Sequence, residues 1–209
     1  MKAMVFRRYG PPEVLQGEEA EIPVPRENDV LIKVHATSVS PIDWHARSGS
    51  PFLARILAGG LLRPGIRILG FYVAGEIASS GAAVRRWNVG DQVHGRVPPG
   101  MNGANAEYIC IPDDEVVSKP VALSYEEAAS VPTAATVALW FLREGGLRSG
   151  QKVLVHGASG GLGTFAVQIA RAFGAEVTAV CSTPNVKMVH SLGANTVIDY
   201  TREDFTTLD

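Results

Sequence analysis

The sequence predicts a chain of two unlike parts, a β-domain of short strands followed by a partial α/β domain with a parallel sheet. Three observations predict it. Residues 1 to about 120 are broken by Gly and Pro into short strand-like runs. Residues 152–183 read as strand, glycine-rich turn, helix and strand. A further helix and strand then follow before residue 209. Short strands between turn residues close into an antiparallel domain or nearly so, whereas alternating β and α segments build a parallel sheet.

In the first part, strands are expected at Lys2–Arg7, Val30–Val39, Tyr72–Ala78, Asp91–Val97 and Ala106–Ile111, with turns at Gly81-Ala82 and Gly90-Asp91. Ser48–Leu69 differs. Its apolar residues Phe52, Leu53, Ile56, Leu57, Leu61 and Leu62 are interrupted by Arg55, Arg63 and Arg67. The favoured reading is a short amphipathic helix and loop that packs over the barrel mouth, because helical spacing more often means packing. The other reading is a lip over a pocket. Ser124 with Glu127 three residues on has the spacing of a helix start. That helix should run through Ala128–Leu142 with a break or kink near Pro132. The boundary is expected near Leu123, giving domains 1–123 and 124–209.

In the second part, Lys152–His156 is a valine- and leucine-rich run, as in a strand buried on both faces. Gly157–Gly163 is a turn, after which Leu162, Phe165, Ala166, Ile169, Ala170 and Phe173 fall on one helical face. Gly174 stands where a helix stops, and Glu176–Cys181 reads as the next strand. Thr183-Pro184 offers a cap and a first-turn proline for another helix, with Val186, Val189 and Leu192 inward and Gly193 at its end. Thr196–Asp199 is a third strand, and residues 201–209 begin what reads as a further helix.

The turn has a chemistry. A helix N-terminus presents unpaired N–H groups and partial positive charge, and so attracts phosphate. Ala158, Ser159, Gly160, Gly161, Leu162 and Gly163 are the expected contacts, Gly160 for close backbone approach and Gly163 for tight helix packing. The pattern G-x-G-x-x-G has Ala158 at its first position, with Gly157 just before. Its strand-turn-helix-strand setting makes it a dinucleotide site rather than a bare turn. An NAD site carries Asp or Glu about 20 residues further on to hold the ribose 2′-hydroxyl. Here that corner reads Cys181-Ser182-Thr183-Pro184-Asn185 without an acid, and Glu176 lies at the other end of its strand. Ser182, Thr183 and Lys187 suit a 2′-phosphate, so NADPH is the expected cofactor. Lys187 reads equally well as a solvated helix lysine.

Composition narrows the rest. A net charge of −2 shows no nucleic-acid footprint. No apolar run reaches the length of a membrane span, and the N-terminus lacks a signal-peptide pattern. Cys110 and Cys181 lie in strand-like runs and read as packed thiols, as expected for a cytoplasmic protein, and are too few for a structural zinc site.

Six ordered blocks carry a resemblance: SVSPIDWHARSG, GFYVAGEIASSGAAVRRWNVGDQVHG, NAEYICIP, LSYEEAASVPTAATVAL, VLVHGASGGLGTFAVQIARAFGA and LGANTVIDYTREDF. Together they resemble the zinc-free, quinone-oxidoreductase-like branch of the medium-chain dehydrogenase/reductase superfamily, over essentially the whole chain. The resemblance implies a GroES-like β-domain followed by a Rossmann domain, with NADPH and substrate in the cleft between them. It implies hydride transfer to a quinone or another conjugated or activated carbonyl. Zinc alcohol dehydrogenases have a cysteine where Ser40 stands and a His-Glu pair where Phe71 and Tyr72 stand, so no metal is expected. Ser40, Asp43, Trp44 and His45 match the cleft edge: Asp43 to orient the loop, Trp44 to pack against cofactor or substrate. His45 reads either as an aid to protonation or as a loop histidine without a role. Relatives often have asparagine at the position of Ser40. They tend to have threonine at Val137, whereas this chain has Thr136 one place earlier. Tyr200 matches a residue near the 2′-phosphate, and otherwise reads as a strand-end tyrosine.

A complete dinucleotide fold has two β-α-β-α-β halves, and only the first is read here. The expectation is therefore a fragment or truncated product, able to hold the adenosine-phosphate end of NADPH. A homodimer or a complementing chain would complete it, and the edge at the third strand would invite such pairing. The rival functional reading is a catalytically silent nucleotide-binding protein or subunit.

Overall fold

The computed structural model describes residues 1–204 and residue 206. Two compact units divide them, Met1–Pro132 and Thr133–Asp209.

The first unit opens with β1 (Lys2–Val5), paired antiparallel to β2 (Gln16–Glu19). The strand β3 (Asp29–Ala36) follows, with Val30 and Ile32 fully buried. Helix α1 (Pro41–Ser48) has Ser40 as its N-cap, proline in its first turn and Gly49 in the left-handed conformation at its end. The short α2 (Leu53–Leu57) comes next. Then β4 (Tyr72–Ser80), β5 (Gln92–Arg96), β6 (Tyr108–Pro112) and β7 (Val116–Ser118) form with β3 one antiparallel sheet in the order β6-β3-β4-β5-β7. Val30, Ile32, Val73, Ile77, Val93, Ile109 and Ile111 alternate inward along these strands to make the core. Helix α3 (Tyr125–Ser130) carries the expected capping box of Ser124 and Glu127. Its Ala128 and Ala129 pack on Ala74 of β4, so α3 lies on the β-sheet.

The break expected near Pro132 is present, and α4 (Pro132–Glu144) starts afresh there. Proline lacks an N–H and is suited to a first turn. The segment around α2, by contrast, inverts the expected packing. Its inner side is filled by Ala54, Ala58 and Ile66, while Phe52, Leu53, Ile56, Leu61 and Leu62 face outward.

The second unit holds β8 (Lys152–His156), α5 (Gly161–Ala172), β9 (Glu176–Cys181), α6 (Val186–Ser191) and β10 (Thr196–Asp199). The strands are parallel in the order β10-β9-β8, as the sequence predicts. Among the described residues β8 pairs on one side only, and of its side chains only Val155 is buried while Leu154 is exposed, so it is not the strand buried on both faces that its sequence predicts. Helix α5 buries Gly163, Val167 and Ala170, whereas Leu162 of the expected face is exposed. Small side chains let the helix lie close to the sheet, and the larger Phe165 and Ile169 stand half-buried on its flanks. Thr183 does not cap α6. A single 3-10 turn spans Thr183–Asn185, and the α-helix begins at Val186 with Val186, Val189 and Leu192 inward, as expected. The helix expected to begin within 201–209 falls partly outside the described residues.

Candidate functional site

An open cleft of about 880 Å³ in the second unit is lined by His156, Gly157, Ser159, Gly160, Cys181, Tyr200, Thr201, Arg202, Glu203 and Asp204. It lies at the carboxyl ends of β8, β9 and β10, where open α/β sheets bind ligands.

Its floor is the glycine turn. Gly157 has φ of +73°, which favours glycine. The N–H groups of Gly157 and Ala158 both donate to Val180 O of β9, at 3.1 and 3.0 Å. Ala158 is fully buried. Its methyl and its N–H therefore serve the fold, which removes it from the expected ligand contacts. Gly163 is also structural: a Cβ there would lie 2.2 Å from Gly157 O. Gly160 and Gly161 differ. A Cβ on Gly160 would only touch Gly157 O at 3.4 Å, and one on Gly161 would meet open space. The fold has no need of glycine at these two exposed positions. The N–H groups of Gly161, Leu162 and Gly163 open α5, where first-turn donors have no intrahelical partner.

The opposite wall is a polar network. Asn185 Nδ2 donates to Ser159 Oγ at 3.3 Å and to Ser182 Oγ at 3.2 Å, tying the turn to the end of β9. Asp199, almost buried at the end of β10, accepts from Thr183 Oγ1 at 2.5 Å and from Thr201 Oγ1 at 2.7 Å. These bonds, Thr183's foremost, hold its carboxyl below the ordinary aspartate range. Arg202 Nε lies 3.6 Å from the same carboxylate. Burial and the neighbouring Asp199 push the Cys181 thiol up, so this cleft residue stays protonated at neutral pH. Tyr200 is about half-exposed and lines the cleft. Lys187 is exposed on α6, and Thr136 is exposed on α4; neither is among the cleft's lining residues.

Sequence reasoning missed Asp199, Thr201, Asn185 and Arg202. The signal was present in the run Asp199-Tyr200-Thr201-Arg202. An acid at a strand end followed at once by hydroxyl-bearing residues predicts a polar knot there.

The other expected residues lie in the first unit. Asp43, only 4% exposed, accepts from Ser40 N at 2.9 Å, Ser40 Oγ at 2.8 Å and Gly70 N at 2.8 Å. Ser40 thus gives its only hydroxyl proton to Asp43 and retains lone pairs alone for any other partner. His45 Nδ1 lies 2.6 Å from Ser50 O, so it carries the proton, because a carbonyl only accepts. In the neutral ring Nε2 is then an acceptor. Trp44 is about half-exposed and meets the His45 ring edge-on at 4.4 Å. Phe71 and Tyr72, at the second pair of positions where zinc ligands would stand, are buried and offer no metal-binding imidazole or carboxylate. Among the described residues no group of three His, Cys, Asp or Glu side chains is arranged to hold a metal, and no helix is long and apolar enough to cross a membrane.

A GroES-like β-domain followed by a Rossmann-type unit with an open glycine turn defines a nucleotide-dependent dehydrogenase architecture, and comparison with known proteins agrees. The alcohol dehydrogenase GroES-like domain family matches residues 26–121, and the zinc-binding dehydrogenase family matches residues 161–207. The NAD(P)H oxidoreductase RTN4IP1, mitochondrial, of Bos taurus is 40% identical over 213 residues, covering 96% of this chain and 54% of that protein. The quinone-oxidoreductase homolog, chloroplastic, of Spinacia oleracea is 34% identical, covering 96% of this chain and 61% of that protein. Among solved structures, the quinone oxidoreductase from Coxiella burnetii superposes with a TM-score of 0.89 at 39% identity, covering 99% of this chain and 64% of that one. The Escherichia coli quinone oxidoreductase complexed with NADPH superposes with a TM-score of 0.83 at 28% identity, covering 98% and 60%. The chain belongs to the medium-chain dehydrogenase/reductase superfamily, in its quinone-oxidoreductase-like branch. It spans about half the length of the first curated relatives it matches, 54% for the bovine protein.

Proposed function

We propose that this chain is the nucleotide-binding and β-domain part of an NADPH-dependent, zinc-free reductase of quinones or other conjugated carbonyls. The observation that carries the reading is the pair Gly160 and Gly161. They are bare and exposed where nothing in the fold excludes a side chain, which is the cradle a pyrophosphate requires. When bound, the nicotinamide cofactor supplies a hydride. The chain's own residues bind and orient. The α5 N–H groups would hold the pyrophosphate. Tyr200 and Arg202 would face the adenosine end, joined by Ser182, Thr183 and Lys187 at the corner after β9. The carboxylate of Asp199 is engaged by Thr183 and Thr201 and so is poorly placed to take ribose hydroxyls, which favours NADPH over NADH. On the β-domain, Asp43 ties the first turn of α1 to Gly70 and so fixes the helix that presents Trp44 and His45 to substrate. His45 would donate a proton from Nε2 only as the imidazolium. Zinc does not fit this donor set, since Ser40 has no thiol and its hydroxyl proton goes to Asp43. No membrane-spanning or nucleic-acid role is proposed, and the cytoplasm is the compartment proposed here, while the relatives' names include a mitochondrial and a chloroplastic protein.

A second reading, binding without turnover, is favoured by the single-sided pairing of β8 among the described residues. A homodimer or a complementing chain would supply that edge with a partner. Titration of the purified 209-residue chain with NADPH and NADH, followed by NADPH oxidation with a quinone, separates the readings. NADPH is expected to bind at least about tenfold tighter than NADH. Turnover supports the first reading and binding alone the second; absence of NADPH binding sinks both.

A further inference from the structure

Asn185 stands where α6 is about to begin and does not do what asparagine does there. At a helix start its side-chain oxygen ordinarily accepts from a first-turn N–H. Here the 3-10 turn Thr183–Asn185, with Asn185 N donating to Ser182 O at 2.9 Å, delays the α-helix to Val186, and the Asn185 side chain makes no capping bond. Its amide turns back to the cleft instead. Nδ2 donates to Ser159 Oγ of the glycine turn at 3.3 Å and to Ser182 Oγ at the end of β9 at 3.2 Å. Ser159 lines the cleft, and Ser182 follows Cys181, which also lines it. All three polar residues are half-buried.

The direction of these two bonds has a chemical consequence. An amide NH2 only donates, so both serine oxygens accept, and each serine keeps its own proton for another partner. Among the described residues neither hydroxyl gives that proton to a protein group. Thr183 and Thr201 differ, because both hydroxyls give their protons to Asp199. A hydroxyl that already accepts is also the stronger donor. Ser159 and Ser182 are therefore set as a pair of donors, and such a pair suits a ligand group that only accepts. A phosphate dianion is one, whereas a ribose hydroxyl brings a proton of its own. An acid at position 185 would take both serine protons and turn the pair into acceptors. We propose, on the reading of the cleft as an NADPH site, that Asn185 is a positioning residue for cofactor choice, fixing Ser159 and Ser182 as donors to the 2′-phosphate.

The test is NMR titration of the full 209-residue chain with 2′,5′-ADP and with 5′-AMP, which differ only in the 2′-phosphate. The unmodified chain is expected to favour 2′,5′-ADP. N185A should weaken 2′,5′-ADP about fivefold and N185D at least about thirtyfold, as for hydrogen bonds to a charged group, with 5′-AMP held within about twofold. In an S159A/S182A background N185A should change nothing further, because the amide acts only through the two hydroxyls. Circular dichroism would verify that each variant folds. Losses shared equally by the two ligands would make Asn185 a brace for the glycine turn. A loss from N185A that persists without the serines would mean that the amide meets the phosphate itself. Either result, or no loss at all, would overturn the proposal and leave the NADPH site standing. An unmodified chain that binds neither ligand, or binds them equally, would overturn the NADPH reading and the proposal with it.

Discussion

Two helix starts of this protein carry its expected polar residues, and they dispose of them in opposite ways. The Ser40–Asp43 start of α1 turns inward: the Asp43 carboxylate takes three donors, and the Ser40 hydroxyl is consumed in the process. The glycine turn before α5 serves the fold on one side and is open on the other. Gly157, Ala158 and Gly163 are engaged by the sheet and by each other, while Gly160 and Gly161 face solvent with no neighbour requiring them. Closed polarity is scaffold. Open polarity at a helix start is where a ligand can be met, and the distinction separates residues that a motif treats as one group.

The sharpest test of that division is Gly163→Ala. The new Cβ would sit 2.2 Å from a backbone oxygen that cannot swing away. A loss of about 3 kcal/mol from the second unit is expected by urea unfolding, as for overpacking in a tight site. A tolerated alanine would break the argument that Gly163 is scaffold. Next is Asp43→Ala, which strands the buried Gly70 N–H and the Ser40 N–H. It should cost about 2 kcal/mol in thermal or urea unfolding while leaving the NADPH dissociation constant unchanged. A change in that constant without a change in stability would reverse the roles assigned to the two helix starts. Smallest in stability is Gly160→Ala. Its backbone, φ −79° and ψ 167°, suits any residue, and the entropy gained by alanine is set against the preference for glycine at a helix cap, so stability should shift by less than about 1 kcal/mol. NADPH affinity should nevertheless fall about tenfold by fluorescence titration, because the methyl occupies the approach.

The sequence revealed the α/β half well because its strands are short runs rich in valine and its turns are marked by glycine. The parallel order and the extent of β8 and β9 follow from that pattern. It misjudged faces where small residues take the inner seats. On α5 the buried line is Gly163, Val167 and Ala170, and around α2 it is Ala54 and Ala58. Hydrophobicity ranks Phe, Leu and Ile above Ala and Gly, but close approach of a backbone to its support favours the smallest side chain. The short β2 and β7 went unread for a related reason: their exposed residues give no alternation to detect. At the end of β10 the local signal of Asp199 with Thr201 was legible, but the bond from Thr183 was not, because that residue lies sixteen places earlier in the chain and only the fold brings it near.

The seat of α3 bears on how this chain divides under the knife. Its Ala128 and Ala129 pack on Ala74, Ala128 O receives the ring N–H of the buried His94 at 3.1 Å, and Ala129 O receives the Ser38 hydroxyl at 3.0 Å. A cut at Leu123 would uncap the β-sheet and expose an imidazole whose burial keeps it neutral. A cut after Pro132 would pass where one helix has ended and the next is beginning, and each piece would leave with its own core intact.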